Sequence, residues 1–294
     1  MPDDQLSLVD AHHHVWDLAR RPQDWLDEPV YAPIRRTFTL ADLHAAATRT
    51  IAGRGLAAGV VVQCVTSRAE TEELLAMAGR EPRVGAVVGW ADLTDPAIGD
   101  AVDRLRAGPG GNLLRSLRHI VQAETDPGWL QRPAVERGLG ALAERGLGYD
   151  VLILAGQLPQ AIRLAERLPG LRLVVDHAAK PPIAGGDLAA WRRDLGELAA
   201  HPQVCCKVSG LITEADHASW TTADLRPVWD LLLASFGPNR LMFGSDWPVC
   251  VIAGGWNGWA AAVEELLRDL TPAERHAVLA GTATTFYRLA STRS

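Results

Sequence analysis

Lysine is nearly missing from this 294-residue chain: of 29 basic residues only Lys180 and Lys207 are lysines, and the rest are arginines. There is no Lys/Arg-rich run, and the formal net charge is −6, so the electrostatic footprint of a nucleic-acid-binding protein is absent. No apolar run approaches the roughly 18 residues of a membrane span. The opening residues, Met1-Pro-Asp-Asp-Gln, are acidic and lack an apolar signal core, which argues against secretion by that route. Cys64, Cys205, Cys206 and Cys250 form no CxxC pair, and three of them sit in apolar runs. They read as reduced core thiols of a cytoplasmic protein. Four Phe and three Tyr stand against ten Trp, so the aromatic content is mostly indole.

What is present is alternation. Short β-rich runs fall at 8–15, 59–65, 84–93, 112–120, 149–154, 171–178, 204–211 and 240–247. Between them lie helical patterns such as AETEELLAMAG, LPQAIRLAERL and GWAAAVEELLRDL, with apolar residues three and four apart and several stops at Gly. A further helix opens at Thr271-Pro272, a cap followed by proline at the first helical position. The stretch from Asp17 to Thr37 carries three prolines with arginines and aromatics, and reads as an ordered loop. Parallel strands need helical crossovers, so eight such units predict an α/β fold. The specific expectation is a single (β/α)8 TIM barrel spanning 1–294, with the barrel over about 8–270 and an extra C-terminal helix over about 271–289. An open Rossmann-type sheet is the rival, but no GxGxxG follows a strand, and Gly108-Pro109-Gly110-Gly111 precedes one.

In such a barrel the chemistry gathers where strands end. Strand one reads Asp10-Ala11-His12-His13-His14-Val15-Trp16. Side chains alternate along a strand, so His12 and His14 share a face, with Asp10 one layer lower. Val9, Ala11 and Val15 then pack on the helices, and His13 is structural. Two imidazoles at i, i+2 suit one divalent ion or one polarised carbonyl. Asp246 closes the apolar strand Leu241-Met242-Phe243-Gly244-Ser245, where a carboxylate is costly without partners. Both lysines lie in strand segments. Lys207 and Ser209 point inward if Cys206 and Val208 face the helices, and Asp10 is the expected counter-charge for Lys207. Strand four offers Arg118 or His119, with ambiguous parity; an arginine suits a carboxylate or a carbonyl oxygen. Trp16, Trp90 and Trp247 at strand ends are candidates to line a pocket for a sugar-like ring.

The segments DAHHHVW, LRHIVQAE, VVDHAAKP, CCKVSGL and FGSDWPVC resemble the amidohydrolase-related TIM-barrel hydrolases, in particular the sugar-lactonase group of L-fuconolactonases and L-rhamnonolactonases. The resemblance runs from strand one to strand eight. It implies hydrolysis of an aldonolactone to the aldonic acid. The superfamily's full metal site uses H-x-H on strand one, Lys or Glu on strand four, histidines on strands five and six, and Asp on strand eight. Here His12, His14, His177 and Asp246 match, but strand four has Arg118 and His119, and strand five ends in Ala155-Gly156. A two-metal site is thereby excluded. What remains is one divalent ion (Zn2+) on His12, His14 and Asp246, or metal-free catalysis.

The resulting expectation is a lactonase with Asp246 as general base. His12, His14 and His177 join it as catalytic residues, and Arg118, His119, Trp16, Trp90, Trp247 and Lys207 bind substrate. The partner is a small sugar lactone, with neither nucleic acid nor membrane, acting as a monomer or homodimer. The alternatives are a decarboxylase or carboxylated-lactone hydrolase calling on Arg115 or Arg118, and a non-catalytic barrel that binds a sugar acid or a protein.

Overall fold

The computed structural model describes residues 7–290. Eight parallel strands form one sheet in sequence order: β1 Ser7–His13, β2 Gly55–Val62, β3 Val84–Gly89, β4 Leu114–Ile120, β5 Gly148–Leu152, β6 Arg172–Val175, β7 Val204–Val208 and β8 Leu241–Phe243. The ring closes where β8 runs on beside β1, with His14 N donating to Trp247 O (2.7 Å) and Asp246 N to His12 O (2.8 Å). Helices α1 Leu40–Ala46, α2 Arg68–Ala78, α3 Ile98–Ala107, α4 Pro133–Glu144, α5 Leu158–Arg167, α6 Ala189–Ala199, α7 Thr222–Phe236 and α8 Gly255–Leu266 alternate with the strands. The expected TIM barrel is therefore present. The loop after β1 is ordered, with 3-10 turns Asp24–Asp27 and Pro29–Ile34. No helix among the described residues is long and apolar enough to cross a membrane.

The extra helix α9 (272–287) starts as its sequence predicts. Thr271 and Glu274 form a reciprocal capping box, and Pro272 occupies the first turn. Its middle widens to a π turn over Ala277–Gly281 before Thr282–Tyr287. This helix closes the bottom of the barrel. Ala280, Ala283, Phe286 and Tyr287 pack with a lumen cluster of Val9, Ala11, Val60, Val62, Ala86, Val88, Val174 and Met242. A second, larger core fills the layer between strands and outer helices, with Val61, Val87, Leu117, Tyr149, Val175, Val208 and Phe243 on the strand side.

Two details differ from the simple alternation. Val9 and Ala11 line the lumen instead of packing on the helices, because the register of β1 against β2 shifts between Asp10 and His13. Asp10 consequently serves β8, not the lumen layer beneath His12. Its carboxylate accepts from Ser245 N (2.8 Å), Ser245 Oγ (2.6 Å) and His12 N (3.1 Å). The predicted Lys207–Asp10 pair is therefore wrong: Lys207 is inside, fully buried, but its carboxylates are Asp150 and Asp176. The second difference lies after β6, which ends at Val175 where the sequence suggested Ala178. His177, Ala178, Ala179 and Lys180 all have φ between 50° and 58°, a left-handed turn that ordinary residues adopt at a cost of roughly 1–2 kcal/mol each.

Candidate active site

His12, His14, Arg118, His177 and Asp246 meet at the C-terminal ends of β1, β4, β6 and β8, all nearly buried. Two glycines make the room. A Cβ on Gly244 would stand 2.7 Å from the His12 Cβ, and one on Gly210 (φ +63°) would stand 2.7 Å from His177 Nδ1. Asp246 itself takes a left-handed φ of 54°, and its Oδ1 lies 3.5 Å from His14 Nε2, 3.8 Å from His12 Nε2 and 3.9 Å from His177 Nε2.

One hydrogen bond fixes the ring proton of His14. Its Nδ1 is 2.8 Å from Val62 O, a carbonyl that can only accept, so Nδ1 carries the proton and Nε2 turns a lone pair inward. His12 Nδ1 is 3.0 Å from Lys207 Nζ, and its Nε2 is 3.2 Å from His14 Nε2. His177 Nδ1 pairs with Ser209 Oγ at 2.9 Å. Arg118 donates through Nη1 to Asp176 Oδ2 (2.9 Å) and through Nη2 to the carbonyl and side chain of Gln63. The same Nη1 lies 3.3 Å from His12 Nε2.

Burial, reinforced for His12 by Lys207, keeps the imidazoles neutral. His12 falls well below the usual histidine range, His14 is lowered, and His177 drops to about 4. For Asp246, burial favours the neutral acid, but the neighbouring His177 and His14 rings outweigh it, so the carboxyl stays ionised. Asp176 is driven well below the carboxylate range despite its burial, by Lys207 and His12.

The donor set fits a divalent ion in kind and size. Zinc–nitrogen bonds of about 2.0–2.1 Å imply tetrahedral edges of roughly 3.3–3.4 Å. The nitrogen and carboxylate atoms here are 3.2–3.9 Å apart. His12, His177 and Asp246 offer ligand atoms within 4.8 Å of one another, with His14 beside Asp246. With the ion on His12 Nε2, the ring proton would sit on Nδ1, where Asp176 Oδ1 lies 3.4 Å away.

The remaining residues singled out in the sequence divide. His119 turns away from the lumen: it stacks on Trp129 (4.0 Å, 8°), accepts from Trp90 Nε1 and meets Glu124 at 2.7 Å. Trp16 and Trp247 are buried against Phe38 of the first loop, so their rings stiffen that loop more than they face a pocket. Asp150, Asp176, Gln63, Ser116 and Tyr287 escaped sequence reasoning. The signal for the two aspartates was there, since each interrupts an apolar strand as Asp246 does. A cavity of about 1040 Å³ lined by Trp16, Arg21, Phe38, Leu74 and Arg104 contains none of the site's side chains.

Neutral buried imidazoles at a parallel barrel's strand ends, around one ionised carboxylate, define a barrel hydrolase. The chain belongs to the amidohydrolase family, whose sequence profile matches residues 9–289. An L-fucono-1,5-lactonase of Burkholderia ambifaria is 38% identical over 288 residues, covering 96% of this chain and 95% of that protein. One from Burkholderia multivorans is 38% identical, covering 96% of each. The crystal structure of a Burkholderia multivorans amidohydrolase with bound zinc superposes with a TM-score of 0.87 at 38% identity, covering 97% of this chain and 100% of that one.

The histidines also set the acid stability. His12, His14, His44, His119 and His177 all have lowered values, burial being the first cause in each. The unfolded chain therefore binds more protons than the folded one once pH falls below about 6.5, and stability declines from there downward. Glu70 and Asp150, both raised by burial, work in the opposite direction, two groups against five. Denaturant midpoints of chelated protein should fall steadily between pH 7 and pH 5; a flat profile would contradict neutral buried imidazoles.

Proposed function

We propose that this protein opens a six-membered aldonolactone to the aldonic acid by water attack on the ring carbonyl. The observation that carries the reading is an ionised, nearly buried Asp246 among three neutral imidazoles, with the Arg118 guanidinium alongside. Asp246 takes a proton from water as it adds to the carbonyl carbon. The His12 ring and the Arg118 charge face the oxygen that becomes negative. Collapse of the tetrahedral intermediate breaks the bond to the ring oxygen, and the carboxylic acid of Asp246 returns its proton to the departing alkoxide. A divalent ion held by His12, His177 and Asp246 would polarise the carbonyl as a Lewis acid.

Substrate hydroxyls meet the rim of the site. Lys180, at the end of the left-handed turn, pairs with Glu214 at 3.2 Å, both about a quarter exposed. The Lys180 charge reaches Asp246, His177 and the half-buried Tyr31 of the first loop. A carboxylated substrate is disfavoured, because Asp176 and Gln63 already occupy the Arg118 fork. Four free cysteines fit a reducing, cytoplasmic compartment.

Acid release from a panel of lactones, before and after chelation, tests both levels of this reading. Hydroxylated aldonolactones should be hydrolysed and carboxylated ones should not. Lys180→Met and Glu214→Gln should raise KM for the hydroxylated substrates roughly tenfold, the worth of a charged hydrogen bond, with an unsubstituted lactone unaffected. Equal losses on both substrates would remove the rim from recognition. Turnover confined to carboxylated lactones, or loss of CO2 from an aromatic acid, would replace the proposal with the neighbouring chemistry.

A further inference from the structure

Lys207 is fully buried; its ammonium hydrogen-bonds Asp150 Oδ2 at 2.6 Å and His12 Nδ1 at 3.0 Å and forms an ion pair with Asp176 Oδ1 at 2.9 Å, an oxygen with no hydrogen-bond partner. Asp150 is in turn saturated. Its Oδ1 accepts from Ser116 Oγ (2.5 Å), and its Oδ2 accepts from Tyr287 OH (2.7 Å) as well as from Lys207. Tyr287 belongs to α9, which enters the barrel from the end opposite the site. The cations Lys207 and Arg118 balance the carboxylates Asp150 and Asp176, so the lumen carries no net charge at this level. In a chain whose other basic residues are almost all arginine, this position is a lysine. A planar guanidinium spreads its donors over three nitrogens and cannot aim three N–H groups from one point.

We infer that Lys207, Asp150 and Tyr287 form a brace that orients the His12 ring, making the C-terminal helix part of the lactone-opening machinery. The inference rests on the function proposed above. His12 is the group that faces substrate; Lys207, Asp150 and Tyr287 are positioning residues. Without the ammonium at Nδ1, the His12 ring loses the contact that sets its orientation.

Lys207→Met alone leaves Asp150 and Asp176 short of a counter-charge and endangers folding, so the informative variant is Lys207→Met with Asp150→Asn, which removes one charge of each sign. Tyr287→Phe tests the α9 contribution alone. Two readouts are taken on full-length protein: kcat and KM on the best lactone, and the 15N NMR pattern of His12 in chelated protein, assigned by difference against His12→Gln. The double variant should fold, keep KM within about twofold and lose about 10- to 100-fold in kcat, the scale of lost supporting contacts to a site histidine. Its His12 ring signals should shift. Tyr287→Phe should give a smaller kcat loss with unchanged KM, and Lys207→Arg should not rescue. A folded double variant with wild-type kcat would overturn the inference, as would lost kcat with unmoved His12 signals. A wild-type protein inactive on every lactone, with the His12 signals still shifting in the double variant, would support the brace and reject the lactonase reading.

Discussion

Asp246→Asn lowers turnover on the best aldonolactone by about 10²- to 10⁴-fold, the usual worth of a positioned general base. The substitution is nearly isosteric, so the nearby contacts to His12, His14 and His177 survive as neutral ones. What is lost is the ability to take a proton from water and give it back to the ring oxygen. KM should change little, because in the proposed mechanism the rim, not Asp246, grips the substrate hydroxyls. The unfolding midpoint should hold, since an ionised carboxylate at this depth is held against its own desolvation. Steady-state kinetics with parallel thermal unfolding decide the matter. A folded Asn variant turning over at the wild-type rate removes Asp246 from the chemistry.

Arg118→Met has the second large effect, and it shows in both rate and stability. The guanidinium lies 3.3 Å from His12 Nε2 and is only 4% exposed. Its loss takes away the positive field at the developing oxyanion, a contribution of roughly 10²- to 10³-fold in kcat. It also strips one of two cations from Asp176, and breaking a buried pair in this way costs about 3–5 kcal/mol. Denaturant titration beside kinetics separates the two losses. A stable Met variant with normal kcat would mean that Arg118 does neither job. Loss of stability with normal kcat would leave it purely structural.

The barrel was legible because eight apolar runs separated by helix-length patterns admit few topologies. His12, His14, His177 and Asp246 were legible for a related reason: polar residues that end apolar strands stand out against their surroundings. Arg118 against His119 was not decidable, because parity at a strand end depends on where pairing stops. The Lys207 partner was misjudged because counting alternation from Leu8 misses the register shift between Asp10 and His13, a feature of two strands rather than one. Asp150 and Asp176 were visible as carboxylates inside YDVLIL and VVDHAA, but a strand's interior gives no hint of which cation lies across the barrel. Tyr287 was beyond reach, since nothing local says that the last helix plugs the lumen. The left-handed turn at 177–180 was equally hidden, because tertiary packing imposes it on alanines that do not favour it.

Hydrolysis of a six-membered aldonolactone in 18O-labelled water tests the mechanism most directly. The purified protein should accelerate acid release far beyond the spontaneous reaction, with the label in the product carboxylate and none in the freed ring hydroxyl. No acceleration on any aldonolactone, or label in the hydroxyl, would contradict water attack on the carbonyl at the His12–His14–His177–Asp246 cluster.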